Sequence, residues 1–215
     1  VYIEAYGIKL IRLEEKHIEM LRQWRNSPHV QNQMEYRNYI TEEMQAKWFA
    51  SIDNENNNYF LIEALGEMIG VISATQIDWV NNITGNGGIF IANEKYIDTD
   101  FPARAALLLT DLGFYMGMQK NYVRILADNK QSIAFNTLIG YELLKGQQDV
   151  VNRRYMLTKD NYFKKAAKLR EALNVAGRVK GVFDNPAHPA QGLIIARINS
   201  LPISERSIFE IIIAN

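Results

Sequence analysis

Apolar and polar positions along the chain fall into short periodic blocks. "IKLIRL" (8–13) alternates and predicts a strand with one buried face. In "EEKHIEMLRQWRN" (14–26), Ile18, Leu21 and Trp24 share one helical face, and Pro28 is expected to end the helix. "ITEEMQAKWFASI" (40–52) predicts a second helix. Thr41 is its N-cap, and Glu42 and Glu43 lie in the first turn, where the helix dipole favours them. Met44, Trp48 and Ile52 are its expected buried stripe. After the polar turn "DNENNN" (53–58), "YFLIEA" (59–64), a Gly66 turn and "MIGVISATQIDW" (68–79) predict a hairpin. A second turn at Asn81–Asn82 leads to a third strand, "GNGGIFIA" (85–92).

A loop then opens an apolar helix from about 102 to 118. "YVRILAD" (122–128) reads as a strand, and "NKQSIAFNTLIGY" (129–141) as a short helix with Gly140 as its C-cap. "YELLKGQ" and "RRYMLT" are two more strands, and "NYFKKAAKLREAL" (161–173) is a helix. This order predicts a mixed α/β sheet with a parallel crossover around the helix at 102–118. From residue 174 the pattern changes. "GRVKGVF", "GLIIARI" and "SIFEIIIA" are apolar runs separated by Pro, Gly and Asn turns, and they read as a small β appendage. The chain thus divides into 1–173 and 174–215. An exposed edge of this kind invites pairing, so the appendage is expected to pack on the main sheet or on a second subunit, which makes a homodimer plausible.

Composition narrows the function. The 215 residues are 47% hydrophobic and 22% charged, as expected of a soluble globular chain. Lys+Arg and Asp+Glu both number 24, which argues against nucleic acid or an anionic membrane as the main partner. Cysteine is absent, which excludes disulfides, a thiol nucleophile and cysteine metal sites. His17, His29 and His188 are far apart and show no ligand spacing, so no metal is expected. No run reaches the roughly 18 apolar residues of a membrane span, and the N-terminal residues lack a signal pattern; a cytoplasmic protein is the expectation.

Four motifs carry a resemblance. Trp24-Arg25-Asn26-Ser27-Pro28 is followed by Ile40-Thr41-Glu42-Glu43 and then Trp48-Phe49, and "LADNKQSIAFNTLIGY" follows the crossover helix. In this order, over roughly residues 8–160, they resemble the GNAT superfamily of acetyl-CoA-dependent N-acetyltransferases. The closest likeness is to its ribosomal-protein alanine acetyltransferase-like and amino-sugar-nucleotide branches. The resemblance implies an α/β (α+β) fold: a mixed, mostly antiparallel sheet flanked by helices, here with a small C-terminal β appendage. It implies acetyl-CoA as co-substrate and a primary amine as acceptor, either a small molecule such as an amino-sugar nucleotide or a protein N-terminus.

The resemblance also implies sites. A splayed strand should pair with the pantetheine, which nominates Ile89, Phe90 and Ile91. The loop that offers N–H groups to the diphosphate aligns with Ile97, Asp98, Thr99, Asp100, Phe101 and Pro102. Its usual glycines are missing. Pro102 lacks a donor, and two carboxylates beside a diphosphate each cost about 1–3 kcal/mol at an intermediate dielectric. Only Lys95 and Arg104 stand nearby to offset them. The alternative reading is a plain helix start capped by Thr99 or Asp100, with no bound anion. Thr99, Phe101, Arg104, Asn129 and Ser132 are the further cofactor candidates, and Asn129 also suits an N-cap. No carboxylate occupies the strand where relatives place a general base, so Asp78 is the nearest candidate, with a strand-end turn as its alternative role. The position of the usual acid Tyr holds Asn136, which cannot protonate a thiolate. The acceptor pocket nominates Arg25, Asn26, His29, Glu35, Tyr36, Tyr59 and Trp79, while Trp24, Trp48 and Phe49 read as core. The departures leave two functions open: an N-acetyltransferase, or a degenerate domain that binds or assembles without CoA. A different acyl-CoA is a third reading.

Overall fold

The computed structural model describes residues 1–214. Its centre is one ten-stranded sheet in the order β10-β9-β1-β2-β3-β4-β5-β6-β8-β7. β1 (Tyr2–Ala5) and β2 (Ile8–Arg12) form a hairpin closed by Tyr6 and Gly7, both in the left-handed region. β3 (Asn58–Ala64), β4 (Glu67–Asp78) and β5 (Ile83–Ile91) continue the antiparallel run as the predicted meander. Helix α4 (Phe101–Tyr115) crosses over to β6 (Lys120–Leu126), which lies parallel to β5. β7 (Glu142–Leu143) and β8 (Asn152–Thr158) close that side, with β8 between β6 and β7.

Alternation along the strands sends successive side chains to opposite faces. Phe60, Ile62 and Ile72 pack with Ala105, Leu108 and Leu112 of α4. Leu61 and Val71 face the other way, toward Leu21 of α1 (Ile18–Arg25) and Trp48 and Phe49 of α3 (Glu42–Ile52). Each large apolar side chain buried this way contributes about 1.5–3 kcal/mol. Between α1 and α3, Pro28 opens a further short helix, α2 (Pro28–Gln31), so it starts a helix as well as ending one. Thr41 caps α3 as expected, its Oγ1 accepting from the Met44 N–H at 3.2 Å. The buried stripe is different from the expected one: Met44 is 40% exposed, whereas Gln45 is 1% exposed.

On the α4 face, α5 (Lys130–Leu138), α6 (Lys159–Lys165) and α7 (Ala167–Ala172) complete the core. A fully buried carboxylate, Asp111 of α4, ties these parts together. Its Oδ2 accepts from the Tyr6 hydroxyl at 2.7 Å, and its Oδ1 from the Tyr162 hydroxyl at 2.8 Å. Arg170 Nη1 donates to both oxygens, at 2.8 and 2.6 Å.

The C-terminal segment departs from expectation in one element. β9 (Val179–Phe183) and β10 (Phe209–Ile213) are strands, but the intervening "GLIIARI" lies within helix α8 (Pro189–Ser200). Pro189 occupies its first turn, and His188 Nδ1 accepts from the Ala190 N–H at 3.2 Å. A short α9 (Ile203–Arg206) precedes β10. β9 pairs antiparallel with β1, and β10 pairs parallel with β9. Parallel neighbours need a crossover, which is why the middle run is a helix. The segment packs on the main sheet and extends it, rather than standing apart as β hairpins. Ile194 and Ile198 of α8 join the core beside α4.

Candidate active site

The site begins where two parallel strands part. β5 and β6 pair only at Ile83↔Lys120 and Thr84↔Asn121. Beyond Thr84 the edge of β5 that faces β6 has no strand partner. The cause lies at the next residue. Opposite Gly85, Gln76 holds a left-handed backbone with φ 53, and a Cβ at Gly85 would sit 2.7 Å from the Gln76 carbonyl oxygen. The bare glycine lets the β4–β5 ribbon pucker there, and β5 follows β4 away from β6. Gly70 keeps the two strands together further on, since a Cβ there would meet the Phe90 carbonyl oxygen at 2.2 Å. The gap is a cavity of about 710 Å³ lined from both faces of the sheet.

One end of the cavity lies against the start of α4. Ile97, Thr99, Pro102, Ala103 and Ala106 line it, and Asp98 and Asp100 do not. Asp100 instead accepts from its helix neighbour Arg104, Nε at 2.8 Å and Nη2 at 2.7 Å. Asp100 stands at the cap position without a side-chain cap bond, and the Thr99 hydroxyl donates to the Tyr96 carbonyl at 2.7 Å. The Arg104 N–H joins the helix through the Asp100 carbonyl at 3.0 Å. The N–H groups of Phe101 and Ala103 have no acceptor among the described residues. These are the donors that a diphosphate would need, and the flanking side chains on the cavity wall are small. Two buried acceptors on the wall, Asn86 Oδ1 and Asn121 Oδ1, also lack partners. An unpaired strand edge, free helix-start amides and orphaned acceptors suit a chain of amides ending in a diphosphate, so the residues present fit CoA.

The other end lies under α1–α3. Arg25, His29, Tyr36, Trp48 and Tyr59 line it. Trp48 and Tyr59 meet edge to face at 5.1 Å. The Arg25 guanidinium lies over the Trp48 ring at 5.0 Å, and its Nη1 donates to Gln45 Oε1 at 3.1 Å. Burial holds the Arg25 pKa below its ordinary value, and burial pushes the Tyr59 hydroxyl up. His29 Nε2 is 3.1 Å from the Ile91 carbonyl oxygen. A carbonyl only accepts, so Nε2 carries a proton here. Glu35 lines the rim, where its Oε2 accepts from Asn152 Nδ2 at 3.0 Å.

The cavity therefore collects most of the expected residues: Ile89, Phe90 and Ile91 on β5, Asn129, Ser132 and Asn136 near α5, and the acceptor group above with Trp79. Four expected residues do not line it. Asp78, nominated as base, is a strand-end turn residue. Its carboxylate accepts from Asn81 Nδ2 and from the Asn81 and Val80 N–H groups, and these bonds, the Asn81 side chain first, lower its pKa. Asn26 clamps the backbone of Ile40 with two bonds of 2.8 Å. Phe101 packs on Tyr96, ring centres 5.8 Å apart, and Arg104 is held by Asp100. Asn136 lines the cavity, but its amide donates to the Ser132 carbonyl at 2.8 Å and is not free for a thiolate. Asn129 does cap α5, its Oδ1 accepting from the Ser132 N–H at 3.0 Å. Trp79 is half committed to structure: its indole N–H donates to the Glu55 carbonyl at 3.0 Å, and Arg197 of α8 covers its ring. Sequence reasoning missed Asn86, Asn121 and Arg124, and it assigned Trp48 to the core. For the first three, the signal was only that they are polar residues within the strands β5 and β6 that flank the gap.

The chain belongs to the GNAT acetyltransferase family: the pattern described as "Acetyltransferase (GNAT) domain" matches residues 8–142. Solved structures share the fold. Spermidine N-acetyltransferase from Vibrio cholerae, in complex with CoA and spermine, is similar with a TM-score of 0.61 at 17% identity, covering 73% of this chain and 98% of that one. A ribosomal L7/L12 α-N-protein acetyltransferase in complex with CoA gives 0.59 at 19% identity, over 72% and 96% of the two chains. A domain from Methanocaldococcus jannaschii gives 0.61 at 18% identity, over 70% and 97%. No curated protein matches the sequence. Among the described residues no helix is long and apolar enough to cross a membrane.

Proposed function

We propose that this chain transfers the acetyl group of acetyl-CoA to a primary amine. The observation that carries the reading is the continuous cavity between β5 and β6, with free backbone donors at one end and an aromatic pocket at the other. Acetyl-CoA supplies the activated acetyl thioester. The β5 edge holds the pantetheine, and the free amide of Ala103 on the cavity wall at the start of α4 holds the diphosphate. Trp48, Tyr59 and Leu21 shield the acceptor pocket from water. Glu35 is engaged at the rim and Asp78 lies outside, so no free carboxylate takes the amine proton, and the amine must enter neutral. His29 lines the same pocket and is its titratable side-chain base.

The degenerate-domain reading drew on three departures, in loop, base and acid. Asp98 and Asp100 stand off the cavity wall, which weakens the first, while Asp78 and Asn136 are engaged elsewhere and leave the other two in place. The spermidine enzyme and the ribosomal-protein enzyme take different amines. A polycation would want carboxylates in the pocket, whereas the pocket here carries arginine. A small amine, such as an amino-sugar derivative, suits it better than spermine. The test is turnover. The protein has no cysteine, so a thiol reagent reports released CoA without background from the enzyme. Amine-dependent thiol release together with a mass gain on the amine supports transfer. Acetyl-CoA binding with no release across amino sugars, amino acids, peptides and polyamines would refute it.

A further inference from the structure

The acceptor end holds a cation without a counter-ion. Among the described residues no carboxylate lies within ion-pair distance of Arg25. Arg12 and Arg170 are each paired with an aspartate, whereas the part-buried Arg153, Arg154 and Arg197 also lack one, and Arg197 donates to the Asn82 side chain and the Trp79 carbonyl instead. Arg25 Nε is buried and unpartnered, and so is Nε2 of Gln45, the residue that holds the Arg25 fork. The guanidinium lies over the Trp48 ring and lines a pocket that includes Tyr36 and Tyr59. Tyr59 and Phe90 pack on the α1–α3 side, which Ser73 and Asn86 share by register and alternation. Val123 packs on the α4 side, so its neighbour Arg124 faces the α1–α3 side, and Arg124 makes no ion pair among the described residues. The carboxylate on the wall, Glu35, sits at the exposed rim against Asn152.

A buried charge left unpaired is costly, and a fold keeps one where a ligand completes it. A guanidinium fixed by stacking and by one amide also presents its remaining N–H groups in the planar fork that matches carboxylate and phosphate oxygens. From these residues we infer that the acceptor is an anionic amine: its reacting nitrogen is accompanied by a carboxylate or phosphate that Arg25 binds. This rests on the acetyltransferase reading for the reaction, but the binding of the anion does not. Arg25 is a substrate-binding residue here, and Gln45 is a positioning residue that acts through it.

The test uses matched probes that differ in the anion: phenylalanine against phenylalaninamide, and glucosamine 6-phosphate against glucosamine, with spermidine as a cationic control. Binding is read by calorimetry without acetyl-CoA, and transfer by thiol release with it. At least one anionic member should bind and react about 10- to 100-fold better than its neutral partner. Arg25→Gln should erase that ratio while leaving acetyl-CoA affinity unchanged, and Arg25→Lys should restore part of it. The carboxylate and phosphate pairs tell the two anions apart. Equal handling of both members of each pair, or preference for spermidine, overturns the inference while leaving the acetyltransferase reading in place. Loss of acetyl-CoA binding in the wild type would overturn that reading instead, and the calorimetric comparison of anionic and neutral probes would still decide the role of Arg25. An Arg25→Gln protein with unchanged preference for the anionic probe would also refute it.

Discussion

Two glycines on neighbouring strands should give opposite results when given a side chain. A Cβ at Gly87 would lie 3.3 Å from the Ser73 carbonyl oxygen, 3.5 Å from Val123 Cγ1 and 3.9 Å from the Tyr122 carbonyl oxygen. Those distances need shifts of a few tenths of an ångström at most. A leucine there would fit at its Cβ and extend into the gap between β5 and β6. The fold should tolerate Gly87→Leu, because replacing a strand glycine recovers about 0.5–1 kcal/mol of backbone entropy against the tight contact. Acetyl-CoA should not tolerate it. Two or three strand-edge hydrogen bonds at about 0.5–1.5 kcal/mol each, with the contacts around them, correspond to a loss of roughly 10- to 1000-fold in affinity. Gly70→Ala is the reverse case. Its Cβ would stand 2.2 Å from the Phe90 carbonyl oxygen and 2.9 Å from Ile91 Cα, both backbone atoms of a paired strand. Overpacking of that kind costs about 1–3 kcal/mol, and a chain of this size loses about 2–4 °C in Tm per kcal/mol. Thermal melts followed by circular dichroism, with calorimetric titration of acetyl-CoA, separate the two effects. A Gly87→Leu protein that melts like the wild type and keeps its acetyl-CoA affinity would refute the placement of the cofactor between these strands. An unchanged Tm for Gly70→Ala would refute the strand contact.

Asp98→Asn with Asp100→Asn should raise acetyl-CoA affinity by less than about 3-fold at physiological salt, because both carboxylates are exposed, stand off the cavity wall and are screened over about 8 Å; a gain above tenfold by calorimetry would mean that they face the diphosphate after all. Stability should fall as pH rises past about 10. Tyr6, Tyr141 and Tyr162, with an ordinary value of 10.0, are all pushed up in the folded state, chiefly by burial. Above that value the unfolded chain sheds these protons while the native chain keeps them, so each tyrosine removes up to about 1.4 kcal/mol of stability per pH unit. Urea unfolding at pH 9, 10 and 11 checks the sign, and a flat or rising midpoint would contradict it.

Much of the fold could be read in advance because local signals agreed with tertiary ones. The hairpin at 59–79, the crossover helix and the Thr41 and Asn129 caps depend on periodicity and cap chemistry within a few residues. The errors share a cause in long-range context. "GLIIARI" is apolar and β-branched enough to pass for a strand, and only the parallel pairing of β10 with β9 makes a helix of it. The start signals, His188 and Pro189, were present but outweighed. β1 is four residues long and is a strand because β2 and β9 flank it. Gln45 is buried in place of Met44 because it holds Arg25, a contact between two helices that no helical period encodes. In the site, the family resemblance pointed to the loop at 97–102, of which Ile97, Thr99 and Pro102 line the cavity. It could not say which way the loop's side chains turn. Backbone geometry turns Asp98 and Asp100 away and leaves the Phe101 and Ala103 amides without acceptors. Asp78 and Asn26 were chosen by residue type and position, and both are held by their neighbours' backbone instead.

If the gap between β5 and β6 holds acetyl-CoA, calorimetric titration of the intact protein will show saturable one-to-one binding with a micromolar Kd, about −8 kcal/mol. The absence of binding at millimolar acetyl-CoA would contradict that placement, whatever the resemblance of the fold.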